Sequence, residues 1–229
     1  SHGFVVLAPL TSGRFANRTK CEPALDLVKA LKASSGSTPP WAGVATVKAR
    51  FDRVGLMGHS AGARLLASAA RNASKSGYNV AAAVLSHGGT HDANTDALRM
   101  PAFFMDAQDD DHVHPENMYD LFERVYPLNP KSGHVFVNLA KGGHMEPSDL
   151  GQLNDWTARF LGCHVKGRAT SCGRIYGTQS DALCRSVEHV AATGTQDPTG
   201  GCNATGGVPA AGAGPPRRGG SGRSRRSGA

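Results

Sequence analysis

No run of apolar residues in this chain approaches the roughly eighteen that a membrane-spanning helix needs. No internal repeat recurs at solenoid spacing, which excludes a stacked-repeat architecture. The chain has no C-x-x-C pair and no histidine at metal-ligand spacing from a cysteine, so no zinc, and no metal or cofactor, is expected. Acidic residues are missing from Gly207 onward, where Arg217, Arg218, Arg223, Arg225 and Arg226 stand alone. Taking those five charges from the formal +7 leaves +2 for the rest, so a nucleic-acid partner is not expected. A signal peptide is also missing. The chain opens on "SHGFVVLAPL", which reads as a strand from inside a fold, and the expectation is a removed leader or an incomplete N-terminus.

What is present suits one sizeable core, since 229 residues can fold as a single α/β unit. Of five cysteines, Cys163, Cys172, Cys184 and Cys202 cluster near the C-terminal end. Clustered cysteines in a loop-rich segment point to disulfides and an oxidising, extracellular location. Sequence proximity favours Cys163–Cys172 and Cys184–Cys202, with Cys21 left over. Sequons at Asn17, Asn72 and Asn203 add weak support for secretion.

Strand-like and helix-like patterns alternate along the first 162 residues. Strands are expected at Phe4–Ala8, Arg53–Met57, Val80–Ser86, Ala102–Asp106 and His134–Leu139. Helices are expected over 22–34, Ala61–Lys75, Pro115–Val125 and Leu150–Leu161. Such alternation implies βαβ units, a mostly parallel sheet and helices on both faces. Beyond about residue 163 the pattern fails, and from Gly207 the composition cannot support a core. The expected organisation is a catalytic domain over 1–162, a disulfide-stapled extension over 163–206 and a disordered tail over 207–229.

The central signal is Gly58-His59-Ser60-Ala61-Gly62, a G-x-S-x-G between an apolar strand and a small-residue helix. A tight strand-to-helix turn lifts the Ser60 hydroxyl off the sheet edge, and glycine at both flanks, Gly58 and Gly62, avoids collisions. The Ala61 N–H then points at a developing oxyanion. A serine needs a base, and the base an orienting acid, in the order Ser, acid, His. His144 is the expected base, since "LAKGGHMEP" follows a strand and Gly-Gly permits a tight loop. The acid comes from "AQDDDHVHP". Asp111 is the expected residue, four before the helix-starting Pro115, with Asp109 the alternative. The minor reading of the remaining carboxylates is a weak cation site.

"SHGFVVLAP", "RVGLMGHSAGA", "MPAFFMDAQDDDHVHP" and "KGGHMEP" together resemble the α/β-hydrolase superfamily. Within it they look most like cutinase-like polyester hydrolases, including poly(ethylene terephthalate) hydrolases, and chlorophyllase and dienelactone-hydrolase relatives. The resemblance covers about residues 1–162 and implies a serine ester hydrolase acting through an acyl-enzyme. The short segment between Ser86 and Ala102 leaves no room for a cap, so an open cleft is implied, accepting polymeric or lipophilic esters. His59, His87, Gly89 and Thr90 are the implied substrate-side residues. His87 stands where relatives often carry a stacking aromatic. A monomer is expected.

The departures from the family pattern also set expectations. The strands and oxyanion loop that precede the opening strand in relatives are not in this sequence, so the second oxyanion donor is missing. Loss of one such donor costs about 2.7–4 kcal/mol of transition-state stabilisation. The alternatives are therefore a generic or chlorophyllase-like carboxylesterase, a catalytically impaired fragment, or a non-catalytic binding protein of the same fold. For the Cys-rich extension, a structural cap on the last helix is preferred to a substrate-binding appendage.

Overall fold

The computed structural model describes residues 3–8, 22–34, 51–89, 94–139, 142–145, 150–177 and 182–183. Four strands, β1 (Val54–His59), β2 (Val80–Ser86), β3 (Ala102–Ala107) and β4 (Val135–Leu139), form one sheet in the order β1-β2-β3-β4. Every pairing is parallel. Parallel strands need long crossovers. The helices are α1 (Glu22–Ser34), which precedes β1, α2 (Ala61–Arg64) and α3 (Leu66–Lys75), which join β1 to β2, α4 (Pro115–Val125), which joins β3 to β4, and α5 (Leu150–His164) and α6 (Ala169–Tyr176), which follow β4. The described part of the β2–β3 connection holds only a short 3-10 turn, Thr95–Ala97.

Alternation along the strands sorts the core into two layers. Ala82, Val84, Phe103, Met105, Val135 and Val137 face Trp156 and Phe160 of α5 and Ile175 and Tyr176 of α6. Ala83, Leu85, Ala102, Phe104 and Phe136 face Leu66 and Ala70 of α3 and Met118, Leu121 and Phe122 of α4. Both sheet faces are thus covered, which is why β2 and β3 are apolar until Ser86 and Asp106 near their carboxyl ends. Each fully buried phenylalanine contributes about 1.5–3 kcal/mol of transfer free energy. The rings of Phe103 and Phe160 meet at 5.3 Å, pinning α5 to the sheet. Leu25 of α1 packs with Ala73 and Val80 at the edge of this core.

Several expectations change. Phe4–Ala8 forms no strand, and Val6 is 82% exposed. An apolar run becomes a strand only where another strand's edge accepts it, and no pairing partner for it exists among the described residues. It is instead held to α5's end by the Lys166 ammonium, which bonds the Gly3 carbonyl and lies 4.1 Å over the Phe4 ring. The helix expected over Ala61–Lys75 breaks at Leu65, whose φ and ψ of −88° and −7° and bond to the Gly62 carbonyl tighten one turn between α2 and α3.

The C-terminal side also differs. Helix α5 runs through Cys163 to His164, so a boundary between 162 and 163 falls inside it. A further helix, α6, follows where none was expected. Cys163 and Cys172 form a disulfide between α5 and α6. Ile175, Tyr176 and Leu183 sit in the same core layer as Phe160. The Tyr176 hydroxyl donates to the Gly133 carbonyl at 2.6 Å, tying α6 to the turn before β4. Helix α6 and Leu183 are therefore part of the main core. Cys21, Cys184, Cys202 and the tail over 207–229 lie outside the described residues.

Candidate active site

The register brings the carboxyl ends of all four strands to one edge, with His59 opposite Ser86, Ser86 opposite Met105, and Ala107 opposite Leu139. The four loops that leave this edge carry the polar chemistry, as expected for a parallel α/β sheet.

Ser60 follows β1 with φ 53° and ψ −119°, a strained conformation for a non-glycine residue. Its N–H continues the ladder to the Ser86 carbonyl at 2.9 Å, while its own carbonyl accepts from Ala63 and Arg64. The chain therefore reverses from strand to helix within one residue. A Cβ at Gly58 would stand 2.5 Å from the Gly62 backbone, so only glycine fits there. Gly62 itself has nothing within 4 Å of a Cβ, so the expected need for glycine at both flanks holds at Gly58 alone. The second crowded position is Gly88, where a Cβ would meet the Ser60 carbonyl oxygen at 2.5 Å. The repeated glycine in "HGGT" was the available signal for it. Ala61 opens α2, and as a first helical residue its N–H has no intrahelical acceptor. With α2 only one turn long, that N–H has little macrodipole behind it.

His144 follows β4 after Gly142, whose φ of 122° is open to glycine and strained for other residues. The His144 Nε2 lies 2.8 Å from Ser60 Oγ, and its Nδ1 lies 2.8 Å from Asp110 Oδ2. With Nδ1–H donating to the carboxylate, Nε2 is left to accept from the serine hydroxyl.

The carboxylate that meets His144 Nδ1 is Asp110, and not the expected Asp111 or its alternative Asp109. The Asp110 N–H bonds the Ala107 carbonyl at 3.1 Å, and this tight turn aims residue 110 inward. Its Oδ1 accepts from the His112 and Val113 N–H groups at 2.9 and 2.8 Å. Asp109 and Asp111 point to solvent, and Asp111 pairs at 2.6 Å with the equally exposed His112. The count back from Pro115 points one residue further along, because only the turn geometry decides which of three consecutive aspartates faces His144. Burial alone would push the Asp110 carboxyl up. The hydrogen bonds from Val113 N–H, His144 and His112 N–H outweigh it, and the group lies below the usual carboxylate range.

Three more imidazoles surround His144. His112 stacks on it at 4.9 Å and 16°, His59 lies at 5.0 Å and His87 stands edge-on at 6.0 Å. His59 Nε2–H donates to the His144 carbonyl at 3.0 Å, so this residue, expected on the substrate side, also braces the loop that carries His144. His87 is 5% exposed with φ 50°, and its Nδ1 is bonded to Ser86 Oγ at 2.7 Å. Desolvation, with help from the neighbouring imidazoles and against Asp110, lowers its pKa to about 4, so it is neutral. A buried ring of this kind offers substrate little surface. Gly89 is buried against Asn117 and lines a groove of about 390 Å³ with Arg64, Val113, Asp120 and Glu123, whose walls include no Ser60, His144 or Asp110 atom. Thr90 lies outside the described residues.

Asp106 was read only as the end of a strand. It is fully buried, its Oδ1 accepts from the Ala107 N–H at 2.8 Å, and its Oδ2 has no partner among the described residues. One side-chain ligand atom each from His87, Asp106 and Asp110 lies within 4.8 Å of the other two. No described helix is long and apolar enough to cross a membrane.

The sequence matches the model of the alpha/beta hydrolase fold family over residues 18–156. No curated protein is matched by the sequence. Two crystal forms of the Pyrococcus furiosus esterase Pf2001 are similar in structure. One shows 15% identity over 67% of this chain and 66% of that one, with a TM-score of 0.46. The other shows 14% identity over 64% and 63%, with a TM-score of 0.47. The chain thus spans less than two thirds of their length. The family match covers more than half of the chain and runs through the G-x-S-x-G turn, the aspartate loop and the histidine loop, and the protein belongs to the α/β-hydrolase fold family.

Proposed function

We propose that the protein is a serine carboxylic-ester hydrolase with Ser60, His144 and Asp110 as its triad. The observation that carries this reading is the continuous line from Ser60 Oγ through both ring nitrogens of His144 to Asp110, at 2.8 Å in each step. Ser60 Oγ attacks the ester carbonyl while its proton passes to His144 Nε2. The tetrahedral oxyanion takes the Ala61 N–H as donor. Asp110 stabilises the imidazolium that forms and does not itself take the proton. His144 then protonates the leaving alcohol, and water, deprotonated by the same ring, releases the acid.

A cutinase-like preference for lipophilic or polymeric esters is favoured by Met145, which follows the base directly and is 75% exposed, an apolar surface beside the reacting groups. An extracellular location is favoured by the Cys163–Cys172 disulfide.

The test is hydrolysis of p-nitrophenyl butyrate by the protein and by Ser60→Ala, with labelling by a fluorophosphonate. The expected outcome is labelling at Ser60 alone and a loss of at least about 10⁴-fold in kcat for the variant. A folded protein that neither labels nor turns over would favour a non-catalytic binding role. Polyester film and chlorophyll beside p-nitrophenyl butyrate separate the cutinase-like, chlorophyllase-like and generic readings.

A further inference from the structure

Beneath the proposed triad lies a second carboxyl that the mechanism does not use. Asp106 ends β3, four residues before Asp110, and both side chains are shut off from solvent. Their side-chain oxygens lie within 4.8 Å of each other. Two carboxylates this close and this dry cannot both carry charge, so one holds a proton.

The hydrogen bonds decide which. Asp110 has three donors, the His112 and Val113 N–H groups and the His144 Nδ1–H, and each favours its anion. Among the described residues Asp106 has one donor, the Ala107 N–H, and its Oδ2 is an orphan buried acceptor. An unpaired buried carboxylate oxygen is costly. A proton on that atom turns an orphan acceptor into a donor, and the Asp110 carboxylate is the neighbouring acceptor.

We propose that Asp106 is a positioning residue, a protonated carboxylic acid whose O–H donates to Asp110 and holds that carboxylate in line with His144 Nδ1. The inference rests on the serine-hydrolase reading for its link to rate, but the protonation state stands apart from turnover. The charged and titratable groups facing Asp106 are consistent with it. Asp110 in the loop after β3 and Glu116 on α4 are acids that oppose a second negative charge. His87, after β2, is neutral and offers none in compensation. His144 is already committed to Asp110. Burial is the largest cause acting on Asp106, and with Asp110 it holds the carboxyl up at about 8 despite the Ala107 N–H. The same three groups, His87, Asp106 and Asp110, are close enough to grip a cation. Asp110, however, already accepts three hydrogen bonds, and a proton on Asp106 satisfies the orphan oxygen without taking any of them away.

The test uses infrared difference spectra of the protein against Asp106→Asn, and pH–rate profiles with Asp106→Leu added. The expected spectrum contains a protonated carboxyl C=O band that vanishes in Asp106→Asn and titrates near pH 8 in the unsubstituted protein. Asp106→Leu, which removes the donor at similar volume, should lower kcat about ten- to hundredfold with KM little changed. Asp106→Asn, whose amide N–H can replace the O–H, should restore most of that loss. It should also remove the fall in kcat/KM centred near pH 8. Absence of the band, equal damage from Asn and Leu, or a stoichiometric bound metal whose removal by EDTA abolishes activity would each overturn the proposal. The infrared band needs no turnover, so it still decides the protonation state if Asp106→Leu fails to fold. Full activity in Ser60→Ala would sink the serine-hydrolase reading and leave the band intact, which separates the two failures.

Discussion

Three aspartates stand side by side at 109–111, and one hydrogen bond to His144 separates them. Asp110→Asn keeps the shape but no longer fixes the imidazole tautomer, so kcat for an ester should fall by about 10⁴-fold. Asp111→Asn removes only an exposed contact with His112 and should leave kcat within about threefold. Parallel assays of the two variants on p-nitrophenyl butyrate decide between Asp110 and Asp111 as the acid. Composition favoured none of the three. The turn closed by Asp110 N–H on the Ala107 carbonyl made the choice, and a turn of this kind has no unique spelling.

Among the elements, the strand-to-helix reversal at Ser60 depends on Gly58 and not on Gly62. Gly58→Ala drives a Cβ into backbone at 2.5 Å and should destabilise the fold by about 3 kcal/mol or more. Gly62→Ala meets open space inside a helical turn and should stabilise by about 0.5–1 kcal/mol. Urea unfolding of both variants measures the contrast, and equal effects would refute this account of the turn. The G-x-S-x-G pattern was legible because a serine on a sharp corner needs a crowded glycine before it. Which glycine is crowded became visible only when Gly62 was seen to face away and Gly88 to pack beneath. The long helices α1 and α4 were readable in full from apolar spacing, with Pro115 as a start signal for α4. The break at Leu65 was not, because Leu65 is itself a good helix former.

For the whole molecule, three buried titratable groups set the pH dependence of stability above about pH 4, since Asp110, held below the usual carboxylate range, acts at lower pH. His87 and His134 are held at about 4 by burial, below their usual 6.5, so the folded state binds fewer protons than the unfolded between those values. Their contribution is full above pH 6.5 and is lost as pH falls towards 4. Asp106, raised to about 8 by burial, has the opposite sign, and its contribution declines as pH rises from about 4 to 8. With two groups against one below pH 6.5, and Asp106 alone above, unfolding free energy should peak near pH 6.5. Urea titrations from pH 4 to 9 check this. Asp106→Asn should flatten the alkaline side. His134→Phe, which removes a buried ring with both nitrogens unpartnered among the described residues, should flatten the acid side. The Cys163–Cys172 disulfide closes a short loop between α5 and α6 and should contribute about 2–3 kcal/mol. The double Cys→Ser variant should unfold at lower urea, with any turnover of p-nitrophenyl butyrate unchanged.

The sequence by itself determined the alternating α/β architecture, because apolar runs and helical spacing are local signals that survive without coordinates. It also determined the strand–Gly–His–Ser–Ala–Gly corner and the loop that carries His144, since a serine corner and a Gly-Gly-His turn are spelled in consecutive residues. The disulfide followed from proximity of two cysteines. Tertiary structure alone decided that Asp110 rather than Asp111 meets His144, that Phe4–Ala8 forms no strand, and that α6 joins the main core. It alone brought Asp106 beneath Asp110 and three imidazoles around His144. The physical reason is common to all of these. Burial, strand pairing and the partner of a carboxylate depend on residues distant in the chain, and a sequence pattern carries only what neighbours along the chain impose.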